Sequence, residues 1–236
     1  MPDVNSQACY IRNMDKLPNL IPIFPLTGVI LLPKGFLPLN IFETRYLDMV
    51  EHAKNTNGII GMVQSTEQQF DPMQSDLTGT AKEGRPLYNI GCAGLISDYE
   101  INKEGHYIII LTGLRRFHII NEIQSERSFR TFNVSYENYN KDGDGILINE
   151  KPLIDGFTKI LKNYLTKLEI DVNLLDFEGI NPEEYINAMA MICPFDAGEK
   201  QMLLEIPTLT ERVNLMIKIM ELNISGQNTS LQNNIH

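Results

Sequence analysis

The sequence predicts an α+β fold in which strands come first and helices follow. Short apolar runs broken by glycine and proline fill residues 17–140, a pattern typical of β-strands. Apolar residues at helical spacing fill residues 150–223, where several segments also begin with residues that cap helices. We therefore expect a β subdomain at residues 17–140 and a helical subdomain at residues 150–223. The polar segments 1–16 and 225–236 are predicted to be flexible tails.

Size and composition exclude several classes of protein. A chain of 236 residues with 43% hydrophobic content can bury a substantial core. No apolar run approaches the roughly 20 residues of a membrane span, and the N-terminal segment lacks the apolar core of a signal peptide, so we expect a cytoplasmic protein without a membrane segment. The net charge of −10, without a cluster of Lys and Arg, argues against nucleic acid as a partner.

The first predicted elements are two strands, at residues 20–24 and 29–32. Pro25 and the turn residues Thr27 and Gly28 separate them. Their order in the sequence predicts a strand pair at the start of the β subdomain.

A helix is predicted after this pair. Asn40 is the predicted cap, and Glu43 stands three residues later, where its carboxylate can reach back to the cap. Asn57 and Gly58 supply a stop signal. The apolar stripe expected to face the core consists of Phe42, Tyr46, Met49, Val50 and Ala53.

More strands are expected up to about residue 136. Gly105 lies in a predicted hairpin turn, at a position where positive φ is expected, and residues 64–85 are expected to form a surface excursion. Short strands with few helices between them predict a closed or nearly closed antiparallel barrel. The predicted strands are 59–63, 88–96, 106–111, 117–120 and 131–136.

Four helices are predicted in the second subdomain. Pro152 opens the first, whose broad apolar face is that of a core-facing helix. Asn181, Asp196 and Thr208 each stand where they can cap one of the next three. The last of these helices is expected to end at about Leu222.

Several motifs together resemble the N-terminal domain of Lon proteases. Residues 23–46, IFPLTGVILLPKGFLPLNIFETRY, are similar to the opening of that domain. Residues 88–96 resemble its strand with a G-C/T-x-G-x-I core, and residues 111–117 resemble its G-x-x-R-F segment. Residues 199–212 are similar to the K-Q-x-L-L-E…R element of stand-alone members. The resemblance covers residues 17–222, almost the whole chain.

This resemblance implies both a fold and a function. The fold is a PUA-like antiparallel β pseudo-barrel with one inserted helix, followed by a C-terminal α-helical bundle. The function is the binding of unfolded or degron-bearing polypeptides, which this domain contacts in Lon proteases. The chain lacks a G-x-x-x-x-G-K-[ST] phosphate loop, and the resemblance leaves no room in it for the protease domain.

We therefore expect a non-catalytic polypeptide-binding module, with no enzyme activity and no cofactor. An adaptor to a protease or chaperone is one hypothesis for its role. The alternative is a small-molecule or RNA-binding PUA-like protein, and the net charge of −10 argues against the RNA version. The oligomeric state is left open by the sequence.

The candidate peptide-binding site is the glycine-led loop before the predicted helix, together with the start of that helix. Large apolar side chains on this loop would form an adhesive patch if they are exposed, or would close the barrel if they fold inward. Glu43 and Arg45 can serve the site, or can only cap the helix and form an ion pair. The candidate residues are Phe36, Leu37, Pro38, Phe42, Arg45 and Tyr46.

Other chemistry finds little support in the sequence, and neither a catalytic nor a metal site is predicted. The four histidines are scattered, and the sequence from Asp142 to Gly145 holds only half of a calcium loop. Cys92 and Cys193 have no adjacent base and are expected to be buried. The basic pair at residues 115–116 is expected at a strand edge or turn rather than in a phosphate site.

Overall fold

The structure is a computed structural model of the chain. It describes residues 17–66, 86–142, 151–171 and 179–232, with side chains described up to Ser225. The predicted N-terminal tail and most of the predicted excursion at residues 64–85 lie outside this part of the chain. The chain forms two compact units, residues 1–143 and residues 144–236.

The first unit contains a six-stranded sheet. Its strands are β1 (Leu20–Pro25), β2 (Phe36–Ile41), β3 (Ile59–Val63), β4 (Ile90–Ile101), β5 (Tyr107–Ile123) and β6 (Thr131–Ser135), and one helix, α1 (Thr44–Lys54), lies between β2 and β3. The strand order is β2-β5-β4-β3-β1-β6, and an additional pairing between β5 and β6 closes the sheet. Five strands therefore form a closed ring, to which β2 is added along β5.

The predicted barrel with one inserted helix is confirmed, but one of its pairings is not antiparallel. β1 and β3 run parallel, with Ile23 opposite Gly61. A parallel pair needs a long crossover, and the chain between these strands, which includes α1, provides it. The core of the ring consists of Ile21, Ile23, Ile59, Val63, Ala93, Leu114, Phe117, Phe132 and Val134.

Strand β5 closes the barrel because it is long enough to serve two parts of the sheet. Its first part pairs with β2, and its last part pairs with β6. The sequence predicted two separate strands here, at residues 106–111 and 117–120, and this prediction was wrong. Register shifts in the pairing with β4, at Ala93/Gly94 and Ile96/Asp98, adjust the ladder without ending the strand.

The predicted strand at residues 29–32 is also absent, and β2 takes its place in the sheet. Leu31 and Leu32 are buried, and the Leu32 carbonyl lies so close to Gly113 that any side chain at that glycine would collide with it. This segment therefore packs over the barrel instead of pairing. The ladder between β2 and β5 begins just after it, where Lys34 N–H donates to the Gly113 carbonyl at 2.8 Å.

Helix α1 starts later than the sequence predicted. Asn40 is paired in β2 opposite Ile108, so it does not cap the helix. Glu43 occupies the cap position, and its side chain makes no capping hydrogen bond. The expected core stripe is confirmed for its last four members, which are buried, but Phe42 precedes the helix and is exposed.

The described part of the second unit contains four helices, as predicted. They are α2 (Lys151–Lys167), α3 (Pro182–Ile192), α4 (Ala197–Glu205) and α5 (Leu209–Gln232). Helix α5 packs against each of the other three. It continues well beyond the predicted end at Leu222, so part of the predicted tail at residues 225–236 is helical.

The three predicted caps of the second unit are confirmed. Asn181 accepts a hydrogen bond from the Glu183 N–H at 2.8 Å. Asp196 and Glu199 form a reciprocal capping box, with bonds of 2.7 and 2.9 Å. The Thr208 hydroxyl likewise accepts from the N–H of the third residue of α5 at 3.2 Å. Local side-chain chemistry therefore decides where these helices begin.

A buried arginine joins three of these helices. The Nε of Arg212 on α5 donates to the Leu203 carbonyl on α4 at 2.9 Å, and its Nη1 donates to Asn187 Oδ1 on α3 at 2.8 Å. Buried polar groups are tolerated when they are paired in this way. Arg212 thus has a structural role within the unit.

Candidate functional site

Strand β2, the first half of β5 and the end of β4 form a three-stranded antiparallel extension of the closed ring. Pro38 lies opposite Ile110, which lies opposite Asp98 on the far strand. Two residues along, Asn40, Ile108 and Glu100 form a second row. Residues opposite one another in a sheet present their side chains on the same side. We call this side the strand face, and it comprises Phe36, Pro38, Asn40, Ile108, Ile110, Asp98 and Glu100.

Along β2 and β5 the strand face is apolar except for Asn40, and it is exposed except for the half-buried Ile110. Phe36 is 58% exposed and Ile108 is 38% exposed. Phe42, which is 60% exposed, lies one residue beyond β2, with its ring 6.2 Å from that of His106. Single exposed apolar residues are common on proteins, but a contiguous row is typical of an interaction surface.

The opposite side of the extension is buried along β5 and at Ile41, whereas Tyr99 and Ile101 on β4 are 48% and 56% exposed on that side. Ile41, Tyr107, Ile109 and Leu111 alternate with the residues of the strand face, and all four are core residues. This alternation fixes which side chains point outward, because a strand turns successive side chains to opposite sides. The barrel and α1 therefore support the strand face from behind.

The edge of the extension along β2 is open, and within the described residues β4 also lacks a second strand partner beyond Leu95. Among the described residues, β2 pairs only with β5. The Gly113 N–H donates to the Gly35 carbonyl at 2.9 Å, so the backbone of Gly35 faces β5. Successive residues of a strand alternate in this respect, so the backbone groups of Phe36, Pro38 and Asn40 point to the open edge. Proline has no N–H, so Pro38 at this position costs no ladder bond. The open edge offers carbonyls along its length and two N–H donors.

Helix α1 is tied to the hairpin of β4 and β5 by a polar cluster. The Tyr107 hydroxyl donates to Glu51 Oε2 at 2.6 Å and accepts from Lys54 Nζ at 3.1 Å. Lys54 Nζ also lies 4.1 Å from the centre of the Tyr99 ring. The hydrogen bond from Tyr107 lowers the pKa of Glu51, and the bond between Lys54 and Tyr107 raises the pKa of Lys54. Both side chains are thus held in their charged forms.

The structure brings together half of the predicted site residues. Phe36, Pro38 and Phe42 lie along the strand face. Leu37 points to the opposite side and is half-buried. The predicted loop is therefore part of a strand, in which Leu37 points inward while Phe36 and Pro38, on either side of it, point outward. Both alternatives for this segment are therefore realised, at different residues.

Arg45 and Tyr46 belong to helix α1 and are not part of the strand face. Tyr46 is buried, with its ring 4.5 Å from that of Phe24 in an edge-to-face contact. The Arg45 guanidinium lies 4.5 Å over the Tyr46 ring and pairs with Glu43 at 2.8 Å. The expected ion pair of Arg45 is thus present, and its partner is Glu43, which occupies the cap position of α1.

Sequence reasoning missed the parts of the face contributed by β4 and β5. Ile108 and Ile110 belong to an unbroken apolar run, YIIIL, in which nothing shows which residues face outward. Asp98 and Glu100 alternate with Tyr99 and Ile101, and this alternation is the signal that could have been used. The hairpin was predicted, but its pairing with β2 was not.

The basic pair at residues 115–116 lies inside β5, not at a strand edge or turn. Arg116 is buried and pairs with Asp142, with Nη2 2.7 Å from Oδ1 and Nε 2.9 Å from Oδ2. Its guanidinium lies 4.5 Å over the Tyr139 ring. Arg116 therefore fastens the segment after β6 to the barrel, and Asp142 is used as its partner.

Cys92 and Cys193 are buried free thiols, and burial raises the pKa of Cys193 to about 12. Such a thiol is a poor nucleophile. Within the described ranges, no three His, Cys, Asp or Glu side chains are grouped so as to hold a metal ion. In the same part of the chain, no helix has the length and apolarity needed to span a membrane.

The fold and the strand face define a class of protein: a small barrel that presents an apolar sheet surface, followed by a helical unit. Residues 20–221 match the model of the ATP-dependent protease La (LON) substrate-binding domain. The chain belongs to this family. The match covers the substrate-binding domain only, and no ATPase or protease domain is found in the chain.

Similar sequences are Lon proteases. The chain is 23% identical over 213 residues to Lon protease 2 of Myxococcus xanthus, a match that covers 88% of this chain and 24% of that protein. It is 25% identical over 238 residues to a Lon protease of Cytophaga hutchinsonii, covering 94% of this chain and 26% of that protein. The chain thus spans about a quarter of the length of these relatives.

Solved structures of Lon N-terminal domains share the fold. The Lon N-terminal domain protein from Xanthomonas campestris is 21% identical, with a TM-score of 0.56, and the match covers 85% of this chain and 98% of that one. The N-terminal domain of Lon protease from the Mycobacterium avium complex is 17% identical, with a TM-score of 0.58 over 86% of this chain and 98% of that one. The family favours substrate recognition over the small-molecule or RNA-binding alternative.

Proposed function

We propose that this protein binds unfolded or degron-bearing polypeptides on the strand face and along the open edge of β2. The observation that carries the proposal is the row of exposed apolar side chains, Phe36, Pro38, Ile108 and Phe42, beside a strand edge that has no strand partner among the described residues. Extended polypeptides bind such edges through main-chain hydrogen bonds, and apolar side chains next to the edge add affinity.

The two phenylalanines should supply much of the binding free energy. Fully burying an exposed Phe side chain is worth about 1.5–3 kcal/mol, and each ring here still exposes more than half of its surface. Because both rings lie at the ends of the same face, one extended segment of six or seven residues, about 20 Å long, can contact both. An unfolded chain offers such segments, and a folded protein rarely does.

Calorimetry with a permanently unfolded model protein tests this function. Phe36→Ser combined with Phe42→Ser should weaken binding by roughly tenfold or more, because two apolar contacts are lost. Ile120→Ser is a matched control, since Ile120 on β5 is 60% exposed but lies outside the extension. If the double variant folds and binds as tightly as the Ile120 variant, the strand face is not the binding site.

We further propose that the protein acts as an adaptor that delivers bound polypeptides to a protease or a chaperone in the cytoplasm. Two features support this role: the family match covers a substrate-binding domain, and the described thiols are free, as is usual in a reducing compartment. Crosslinking the tagged protein in its host, followed by fractionation and mass spectrometry, should recover a protease or a chaperone from the cytoplasmic fraction. Recovery of clients alone would contradict the adaptor role.

A further inference from the structure

The strand face has a charged border on one side. Asp98 and Glu100, both exposed, stand on β4 directly opposite Ile110 and Ile108. Asp98 Oδ1 accepts from the Tyr99 N–H at 2.8 Å, and among the described residues neither carboxylate has a basic partner. From residue 96 to residue 112 the sequence carries three carboxylates and a single lysine, at the hairpin turn. The border of the face is therefore acidic.

We propose that this acidic border selects polypeptide segments in which Lys or Arg residues flank an apolar stretch; the proposal rests on the proposed function. Strands in a sheet lie about 4.8 Å apart. A segment lying on the strand face over β5, rather than along the open edge of β2, is thus one strand spacing from Phe36 and Pro38 on one side and from Asp98 and Glu100 on the other. The apolar residues of the segment cover Phe36 and Pro38, and its Lys or Arg residues reach the carboxylates of Asp98 and Glu100.

Charge complementarity distinguishes this role from simple edge protection. Charged side chains on exposed strands also prevent sheets from joining, and that function alone would give no preference among peptides. Here the carboxylates stand beside an apolar row that is itself left exposed, and the net charge of −10 attracts cationic chains further. An acidic segment on the same face would bring like charges together.

Fluorescence anisotropy with three labelled peptides tests this selectivity. The peptides share one apolar core and are flanked by Lys, by Ser or by Glu. The wild-type protein should bind the Lys-flanked peptide about three- to tenfold more tightly than the Glu-flanked one at about 0.05 M salt, and the ratio should shrink at about 0.5 M salt. Asp98→Asn with Glu100→Gln should remove most of the ratio. Glu126→Gln with Glu137→Gln, which changes the net charge equally at exposed positions elsewhere, should preserve it.

The outcomes separate this proposal from the one on which it rests. Equal affinity for the Lys- and Glu-flanked peptides, with both weakened by Phe36→Ser and Phe42→Ser, overturns the selectivity and leaves polypeptide binding intact. Selectivity that survives Asp98→Asn with Glu100→Gln also overturns it. If no peptide binds, or if the phenylalanine variants bind normally, the proposed function itself fails. Peptide affinity that falls as protein concentration rises would show instead that a second copy of the chain occupies the face.

Discussion

Tyr107 connects helix and sheet through a single hydroxyl group. It is buried, and its hydroxyl both donates to Glu51 and accepts from Lys54 on α1. The neighbouring Tyr99 contributes its ring to the same lysine, 4.1 Å away, and no hydrogen bond is made by its hydroxyl within the described residues. Tyr107 therefore contacts Lys54 through its hydroxyl and, at 4.8 Å, through its ring, whereas Tyr99 contacts it through its ring.

Tyr107→Phe should lower the free energy of unfolding, because Glu51 and Lys54 lose their shared partner while the aromatic packing remains. Tyr99→Phe keeps the ring beneath Lys54 and should leave stability unchanged. Urea denaturation followed by circular dichroism compares the two variants with the wild type. Equal midpoints for all three proteins would show that the hydroxyl cluster contributes no stability.

His52 gives the loop before β6 a dependence on pH. Its Nε2 lies 2.9 Å from Nη1 of Arg127, and because a guanidinium only donates, the imidazole must accept and be neutral. Burial, and then the charge of Arg127, lowers the pKa of His52. A group with a lowered folded-state pKa binds its proton more readily in the unfolded chain, so folding stability falls as the pH drops below about 6.5.

His52→Gln should therefore reduce the loss of stability between about pH 7.5 and pH 5, because glutamine does not titrate and can still accept from Arg127. Thermal unfolding at both pH values measures this difference. His118→Gln makes the same substitution at a half-buried histidine on β5 and is the control for replacing a histidine elsewhere in the unit. If the melting temperature of the wild type falls no more between the two pH values than that of the His52→Gln variant, His52 is not the source of the pH dependence.

Among the elements, β2 shows why a local sequence pattern can predict the wrong structure. Asp196, with Glu199 three residues later, marks a helix start correctly, because capping depends on residues within one turn. Asn40 with Glu43 has the same spacing, yet Asn40 lies in a strand. Its pairing with β5, far along the chain, outweighs the local signal, and a single sequence does not reveal that pairing.

One residue of β2 also opposes self-association. Pro38 removes one N–H from the open edge of β2, so a second strand finds an incomplete row of donors. Pro38→Val should restore the row and favour dimers or larger assemblies. Light scattering across a concentration series measures this tendency.

Asn40→Val is the matched control for this prediction, because it adds the same apolar side chain to the same face without adding an N–H. If the Pro38→Val and Asn40→Val variants associate equally, the added apolar side chain alone causes the association. Association of the Pro38 variant only would assign it to the backbone donor.

For the whole molecule, the sequence predicted the β-first, helix-second order and the closed barrel, since these follow from the types of its segments. It did not predict the parallel pair of β1 and β3, or the row that joins Pro38, Ile110 and Asp98. Both depend on the order in which distant strands pair. The candidate site was therefore predicted on β2 and missed on β5 and β4.

The charge of the whole molecule and the charge of the strand face should affect binding in different ways. A net charge of −10 acts at long range and raises the association rate of cationic polypeptides, an effect that salt screens. Asp98 and Glu100 act at contact, so their removal should mainly raise the dissociation rate. Stopped-flow binding of the Lys-flanked peptide measures both rates. The association rate should fall with salt in the wild type and equally in the Asp98→Asn, Glu100→Gln variant. The dissociation rate should be higher in the variant than in the wild type. If the variant instead loses association rate and keeps its dissociation rate, the two carboxylates act through the overall field, and the face itself does not read the charge of the bound segment.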